Sequence, residues 1–269
     1  MANTSPEDAA LDLFRRLNPD KISKNLDTVL QYRPDLSEVL LSSIDQPLRS
    51  ERCADSGNQY LLCDFNRDGD SYRSPWSNKY APALDDGIVP SDHVRDIEVR
   101  LNNAMRVYVD MYYEGGVSSV YLWDQDEYYA GAVLIKKGSS DDASGWDSIH
   151  VFECLETGEP DKWDYQLTST IILHMQSSSS SADESKLGLS GQLTRQTSQR
   201  LEVSDVYSQV ANVGRMVEDM ENRMRTFLQE VYFGKTNDVV NAIRSVMPLE
   251  EVKENEKRMS NVVSGMSKA

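Results

Sequence analysis

The sequence predicts an α+β protein: an N-terminal three-helix stalk, a small loop-rich globule, an antiparallel β-sheet covered by a long helix, and a C-terminal amphipathic helix. Three observations carry that expectation. Apolar residues recur at helical spacing across the first 45 residues, β-branched and aromatic runs fill Val117 to Val203, and an unbroken apolar stripe follows from Val206 to Val231. With 269 residues, 39% of them apolar, the chain can bury one large core or two small ones.

Residues 1–45 repeat one design. Ser5-Pro6-Glu7-Asp8, Asn18-Pro19-Asp20 and Arg33-Pro34-Asp35 each set proline at a first helical position with acid after it. Leu13, Phe14 and Leu17, then Ile22, Leu26, Val29 and Leu30, then Leu36, Val39, Leu40 and Ile44 supply the apolar faces. Helices of roughly 10 to 13 residues are marginal alone, so these are expected to pack on one another or on a partner. Residues 46–115 read as a small globule with one strand, Tyr60 to Cys63, and a connecting helix from about Ser91 to Tyr113. That helix is expected to turn Ile97, Leu101, Ala104, Tyr108 and Met111 inward, with Gly115-Gly116 as its stop. Residues 116–203 read as an antiparallel meander built from SVYLW, YYAGAVLI, SIHVFECL and YQLTSTIIL, with the serine-rich stretch Gln176 to Ser190 as a mobile hairpin loop.

Residues 204–246 hold the long helix and its cap. Val206, Val210, Val213, Val217, Met220, Met224, Phe227 and Val231 step 4-3-4-3-4-3-4, which predicts a helix of about 26 residues, on the order of 39 Å long. A stripe this narrow suits the chain's own sheet, a facing helix of another subunit, or both. Val206, Val210, Val213, Val217, Met220 and Met224 are therefore candidate subunit-interface residues. Residues 247–269 follow the breaker Pro248, and Leu249, Val252, Met259, Val263 and Met266 fall on one face of an expected amphipathic arm.

A formal net charge of −16 opposes nucleic-acid binding and generic binding to anionic membranes. The stretch from Lys235 to Ala269, with six Lys/Arg against five Asp/Glu, is set apart from that acidity. No apolar run approaches the roughly 20 residues of a membrane span, and the acidic N-terminus lacks the pattern of a secretory signal. A cytosolic protein is expected. Cys53, Cys63 and Cys154 read as reduced core thiols, since neither their number nor their spacing fits a disulfide framework or zinc.

Two motifs begin and then break off. Asp64-Phe65-Asn66-Arg67-Asp68-Gly69-Asp70 opens like an EF-hand calcium loop, but Ser71 and Pro75 stand where an apolar residue and a bidentate Glu are needed. An Asx-rich turn is the better reading. Gly234-Lys235-Thr236 resembles the end of a phosphate-binding loop, yet Gln229 replaces its first glycine and a helix C-terminus repels phosphate. His93, His150 and His174 have no spacing to a nucleophile that suggests catalysis. No enzyme, metal or cofactor is expected.

The segments LLCDFNRDGDSYRSPWSNKYAP (Leu61 to Pro82), MYYEGGVSSVYLWD (Met111 to Asp124), WDSIHV (Trp146 to Val151), LTST (Leu167 to Thr170), GQLTRQ (Gly191 to Gln196), ANVGRMVEDMENRMR (Ala211 to Arg225) and VYFGKTNDVVNAIRSV (Val231 to Val246) closely resemble the F-actin capping protein β subunit. The resemblance covers nearly the whole chain and fades in the Gly138–Gly145 and serine-rich loops and after Val246. It implies a cytoplasmic protein of the actin cytoskeleton that pairs obligately with a similar α subunit and blocks the filament barbed end independently of calcium. An alternative is a structural end-capping subunit of an actin-related-protein complex such as dynactin. The resemblance further implies that the C-terminal arm, with Leu249, Val252, Met259, Val263 and Met266, binds actin as the family's tentacle. Arg225 is similar to a basic residue that meets the filament end and an ankyrin-repeat inhibitor, and Arg16 and Tyr80 to residues that contact capping-protein-interacting-motif regulators. Phosphoinositides join the implied partners.

Overall fold

The computed structural model describes residues 6–17, 21–126, 128–138, 144–159, 161–176, 188–234, 237–238, 240–241, 253–254 and 257–258. The chain divides into two compact units, Met1–Glu221 and Asn222–Ala269.

The first unit opens with three short helices, α1 (Pro6–Arg16), α2 (Ile22–Tyr32) and α3 (Ser37–Ser43), the last entered through a 3-10 turn, Pro34–Leu36. Phe14, Ile22, Leu26, Leu36, Leu40 and Ile44 form one buried cluster, with Leu17, Val29 and Leu30 packed against it. No one of these helices buries its apolar stripe alone; each needs the other two.

The globule that follows contains more strand than its polar sequence suggests. β1 (Arg49–Arg52) pairs antiparallel with β2 (Gln59–Leu62), and β3 (Arg67–Asp68), β4 (Ser71–Arg73) and β5 (Tyr80–Ala81) make a second small sheet. The single expected strand is thus β2, and the other four are a correction to the sequence reading. They are too short to show periodicity and are held by backbone pairing and by a core of Cys53, Tyr60 and Leu62.

Helix α4 spans Asp92–Tyr112, and its inner face differs from the expected one. Ile97, Leu101 and Tyr108 are buried as read, but Ala104 and Met111 are exposed, Met111 at 68%. Met105 and Val109 take their place beside the polar Glu98 and Asn102, which are 0% and 2% exposed. Hydrophobicity alone points Ala104 and Met111 inward; the helix is turned instead toward partners that need polar groups.

The main sheet has five strands, β6 (Val117–Asp124), β7 (Tyr128–Gly138), β8 (Ser144–Glu156), β9 (Lys162–Gln176) and β10 (Gly188–Glu202), in the order β10-β9-β8-β7-β6. Every pairing is antiparallel and keeps one register throughout. β10 is the fifth strand that the four expected runs do not include. The expected hairpin loop falls between β9 and β10, and residues 177–187 lie outside the described residues.

The sheet is a middle layer. Leu48 and Leu61 pack on one face against Tyr121, Ala132, Leu134 and Ile149. On the other face lie α4 and, within the first unit, the part of helix α5 (Val206–Gln229) that reaches Glu221, which is held by His150. Within the first unit, Arg100 of α4 stacks over the Tyr207 ring of α5 at 4.6 Å.

The stripe on α5 is the last correction. Val213, Val217, Met220 and Met224 are buried within this chain, at 4% exposure or less, so these four interface candidates offer no surface to a partner; Val206 and Val210 are half-buried. Phe227, predicted inward, is 43% exposed, and Leu228 is buried instead. A straight helix turns 3.6 residues per turn and drifts from a 3.5-residue stripe, so the buried face has moved on by one residue at the far end. In the second unit α5 leads into a π-turn, Glu230–Gly234.

Candidate functional site

A protein that pairs through its sheet needs a free edge, and the two edges here differ. At β6 the outward backbone groups of Val120 and Leu122 are already taken. The Val120 N–H donates to Asn102 Oδ1 and the Asn102 amide donates back to Val120 O, both at 2.9 Å. One pair further on, Leu122 N–H donates to Glu98 Oε2 at 2.7 Å and Arg73 Nη2 to Leu122 O at 3.3 Å. Side chains of α4 and β4 thus stand in for a neighbouring strand.

Because antiparallel residues alternate between the two neighbours and the registers contain no bulge, the outward groups on β10 follow from those on β6. They belong to Gly188, Ser190, Gln192, Thr194, Gln196, Ser198, Arg200 and Glu202. Asn212 takes Glu202 O at 2.9 Å, and the Arg195 side chain bends back to Thr194 O. The row from Gln192 to Arg200 otherwise has no strand beside it among the described residues. Nothing in the sequence marks this edge except the polarity of QLTRQTSQR.

Glu98 is central to the closed edge. It is fully buried and accepts from both Arg73 guanidinium nitrogens, at 2.9 and 2.7 Å, and from Arg95. A second buried network ties α5 to the sheet. His150 Nε2 lies 2.8 Å from Glu221 Oε1, its Nδ1 lies 2.7 Å from Ser169 Oγ, and the Tyr113 hydroxyl donates to Glu221 Oε2. Burial alone pushes the Glu221 carboxyl up, but hydrogen bonding and charge from His150, with Ser148 and Tyr113, outweigh it and hold the group below its ordinary value. His150 is therefore a structural histidine in a satisfied network.

The other sequence candidates are scattered. Tyr80 is half-buried at the end of β5, and its hydroxyl donates to Ile88 O at 2.7 Å. Arg225 lies in the second unit, where its Nη1 donates to Asn222 Oδ1 at 3.4 Å. The side chain of Arg16 lies outside the described residues, as do Leu249, Val252, Met259, Val263 and Met266. The calcium-like segment folds as a 3-10 turn, Asp64–Asn66, running into the β3–β4 hairpin, and Arg67 sits 3.9 and 3.8 Å from Asp64 and Asp70. Gly234 ends the π-turn, and Lys235 lies outside the described residues.

A cavity of about 670 Å³ separates α1 from the sheet, lined by Leu11, Phe14, Asp45, Thr170 and Arg195 among others. Burial pushes the Asp45 carboxyl up, against a hydrogen bond with Thr170.

The family model for the F-actin capping protein beta subunit matches residues 7–240. The chain belongs to that family. It is 64% identical over 264 residues to the F-actin-capping protein subunit beta of Schizosaccharomyces pombe, covering 97% of this chain and 98% of that one. The corresponding Aspergillus oryzae subunit is 52% identical over 262 residues, with 96% and 97% covered. Among solved structures, the homodimeric actin capping protein alpha subunit of Plasmodium berghei superposes with a TM-score of 0.54 at 17% identity, over 90% of this chain and 97% of that one. At that identity the likeness is one of fold.

Proposed function

We propose that this chain is the β subunit of an F-actin capping heterodimer that occupies filament barbed ends and stops subunit addition and loss. The observation that carries this reading is near-full-length identity of 64% to a capping β subunit. The geometry supports the pairing: with β6 closed by Asn102, Glu98 and Arg73, an α subunit continues the sheet at β10, along Gln192 to Arg200.

In this reading α1 to α3 are the stalk, and the segment from 247 to 269 is the actin-binding arm, with Leu249, Val252, Met259, Val263 and Met266 as its apolar face. Arg225 meets the filament end and the ankyrin-repeat inhibitor. Arg16 and Tyr80 serve capping-protein-interacting-motif regulators, and phosphoinositides act as inhibitors. The protein works in the cytoplasm, without catalysis. Seeded elongation of pyrene-labelled actin with the co-purified heterodimer tests the proposal: barbed-end growth stops at stoichiometric coverage of ends, and unchanged growth overturns it.

A further inference from the structure

An antiparallel ladder is symmetric, so an open strand edge can meet its own copy about a two-fold axis. On β10 the outward groups fall at every second residue from Gly188 to Glu202, and the midpoint of that row is Arg195. Pairing of two copies that uses the whole row therefore centres on Arg195 and sets the two Arg195 side chains directly opposite each other. The neighbouring pairs on the same face are Leu193 with Thr197 and Gly191 with Gln199; on the other face they are Thr194 with Gln196, Gln192 with Ser198 and Ser190 with Arg200. None of these repels. Asn212 already holds Glu202 O at 2.9 Å, which makes Gly188 to Arg200 the next longest ladder. Its axis passes through Thr194 and leaves the two Arg195 side chains as diagonal neighbours, about 7 to 8 Å apart and still within reach. Each further slide shortens the ladder.

The placement of Arg195 sharpens the conflict. It is exposed, and its register with Ser169 and, through that residue, His150 puts it on the face that carries α5. Its Nη1 donates to Thr194 O at 2.9 Å, an outward carbonyl near the middle of the row. An arriving strand needs that carbonyl, so it must turn the guanidinium off the edge and back over its own face. In a pair of identical copies both guanidiniums are turned to the same place. The other cation of the row behaves differently. Arg200 is tied to Asp164 and Glu159 of its own chain, and across the axis it meets only Ser190.

We propose that Arg195 makes the β10 edge refuse a second copy of this chain and so reserves it for a strand of different sequence. The inference rests on the reading that an α subunit pairs at β10, and it adds what excludes the wrong partner. The rest of the edge is self-compatible; the repulsion comes from one residue meeting itself. A strand of different sequence sets another side chain opposite Arg195, and an acceptor at that place turns the same guanidinium into a contact.

The test co-expresses two differently tagged copies of this chain with a limiting amount of α subunit. One tag is captured, and the second tag is measured in the dimer-sized fraction at low and high salt. Wild-type copies capture α subunit and little second tag. Arg195→Glu in one copy only replaces the like pair by an opposite one and raises the second tag about tenfold. The same substitution in both copies restores repulsion and returns the wild-type result, and high salt narrows these differences. Arg195→Gln in both copies removes the charge and raises the second tag by a smaller factor. Capture of α subunit checks that each variant is folded, and Arg195→Gln alone decides the matter if Arg195→Glu loses it. Equal amounts of second tag from wild-type copies and from the variants, whether high or low, overturn the proposal. A wild-type chain that captures no α subunit overturns the pairing reading itself, and the proposal with it.

Discussion

Removing Arg73 alone will cost more than removing it together with Glu98. Both side chains are inside, at 3% and 0% exposure, and Arg73 supplies two hydrogen bonds to Glu98, one to Leu122 O and one to Asn78 Oδ1. Arg73→Met leaves a buried carboxylate with Arg95 and one backbone N–H as partners, and stranding one member of such a pair costs about 3–5 kcal/mol. The double variant Arg73→Met with Glu98→Leu removes both fully buried charges and leaves Arg95, whose side chain is 18% exposed, with its hydrogen bond to Pro75 O. It leaves the Leu122 N–H and C=O without these partners, a cost of about 1–3 kcal/mol. Urea unfolding of the heterodimer, followed by tryptophan fluorescence, measures both. The reasoning fails if Arg73→Met costs less than about 1 kcal/mol, or if the double variant loses as much as the two single variants added together.

Four further outcomes are expected. The folded Glu221 carboxyl lies below its ordinary value of 4.5, so its contribution is complete above that pH and disappears as pH falls through the folded value; Glu221→Gln should flatten the acid limb of a stability–pH profile below about pH 4.5. Truncation before Pro248 should leave heterodimer melting unchanged and speed dissociation from barbed ends by about ten- to a hundredfold, and a truncation that melts several degrees lower or leaves as slowly as the intact protein would make the segment a docked helix instead. Arg225→Ala should weaken capping and spare binding of a capping-protein-interacting-motif peptide, while Arg16→Ala with Tyr80→Ala does the reverse; matched losses in either variant contradict two separate surfaces. Calorimetry should find no stoichiometric micromolar calcium binding, since Pro75 stands at the position of the bidentate ligand and Arg67 reaches into the same turn.

Long apolar runs made much of the fold legible. SVYLW, YYAGAVLI, SIHVFECL and YQLTSTIIL became β6 to β9, because strands covered on both faces must be apolar on both. β10 was not legible, since an edge strand such as QLTRQTSQR is stabilised by backbone pairing, which leaves no signature in side-chain polarity. Glu98 and Asn102 show the opposite limit. Their polarity argued for solvent, yet they are buried because the backbone of β6 needed partners. The α5 stripe read correctly at Val213, Val217 and Met220 and failed at Phe227, where the difference between 3.5 and 3.6 residues per turn had accumulated. Family resemblance points to Tyr80, but its hydrogen bond to Ile88 O joins residues eight apart through a loop that no sequence pattern specifies.

The order of the main sheet sets a timetable for synthesis. Each strand pairs with the one made just before it, and α4, which closes the β6 edge, precedes them all in the chain. A nascent chain can therefore build its sheet hairpin by hairpin as it leaves the ribosome, with little long-range search. The last strand to emerge is β10, the one whose outer row from Gln192 to Arg200 is open. Growth of the sheet ends on an adhesive margin, and until a partner arrives that margin is the most aggregation-prone part of the newborn protein. Cells that make this subunit in excess should carry it on chaperones or degrade it, so the supply of the partner sets how much of it survives.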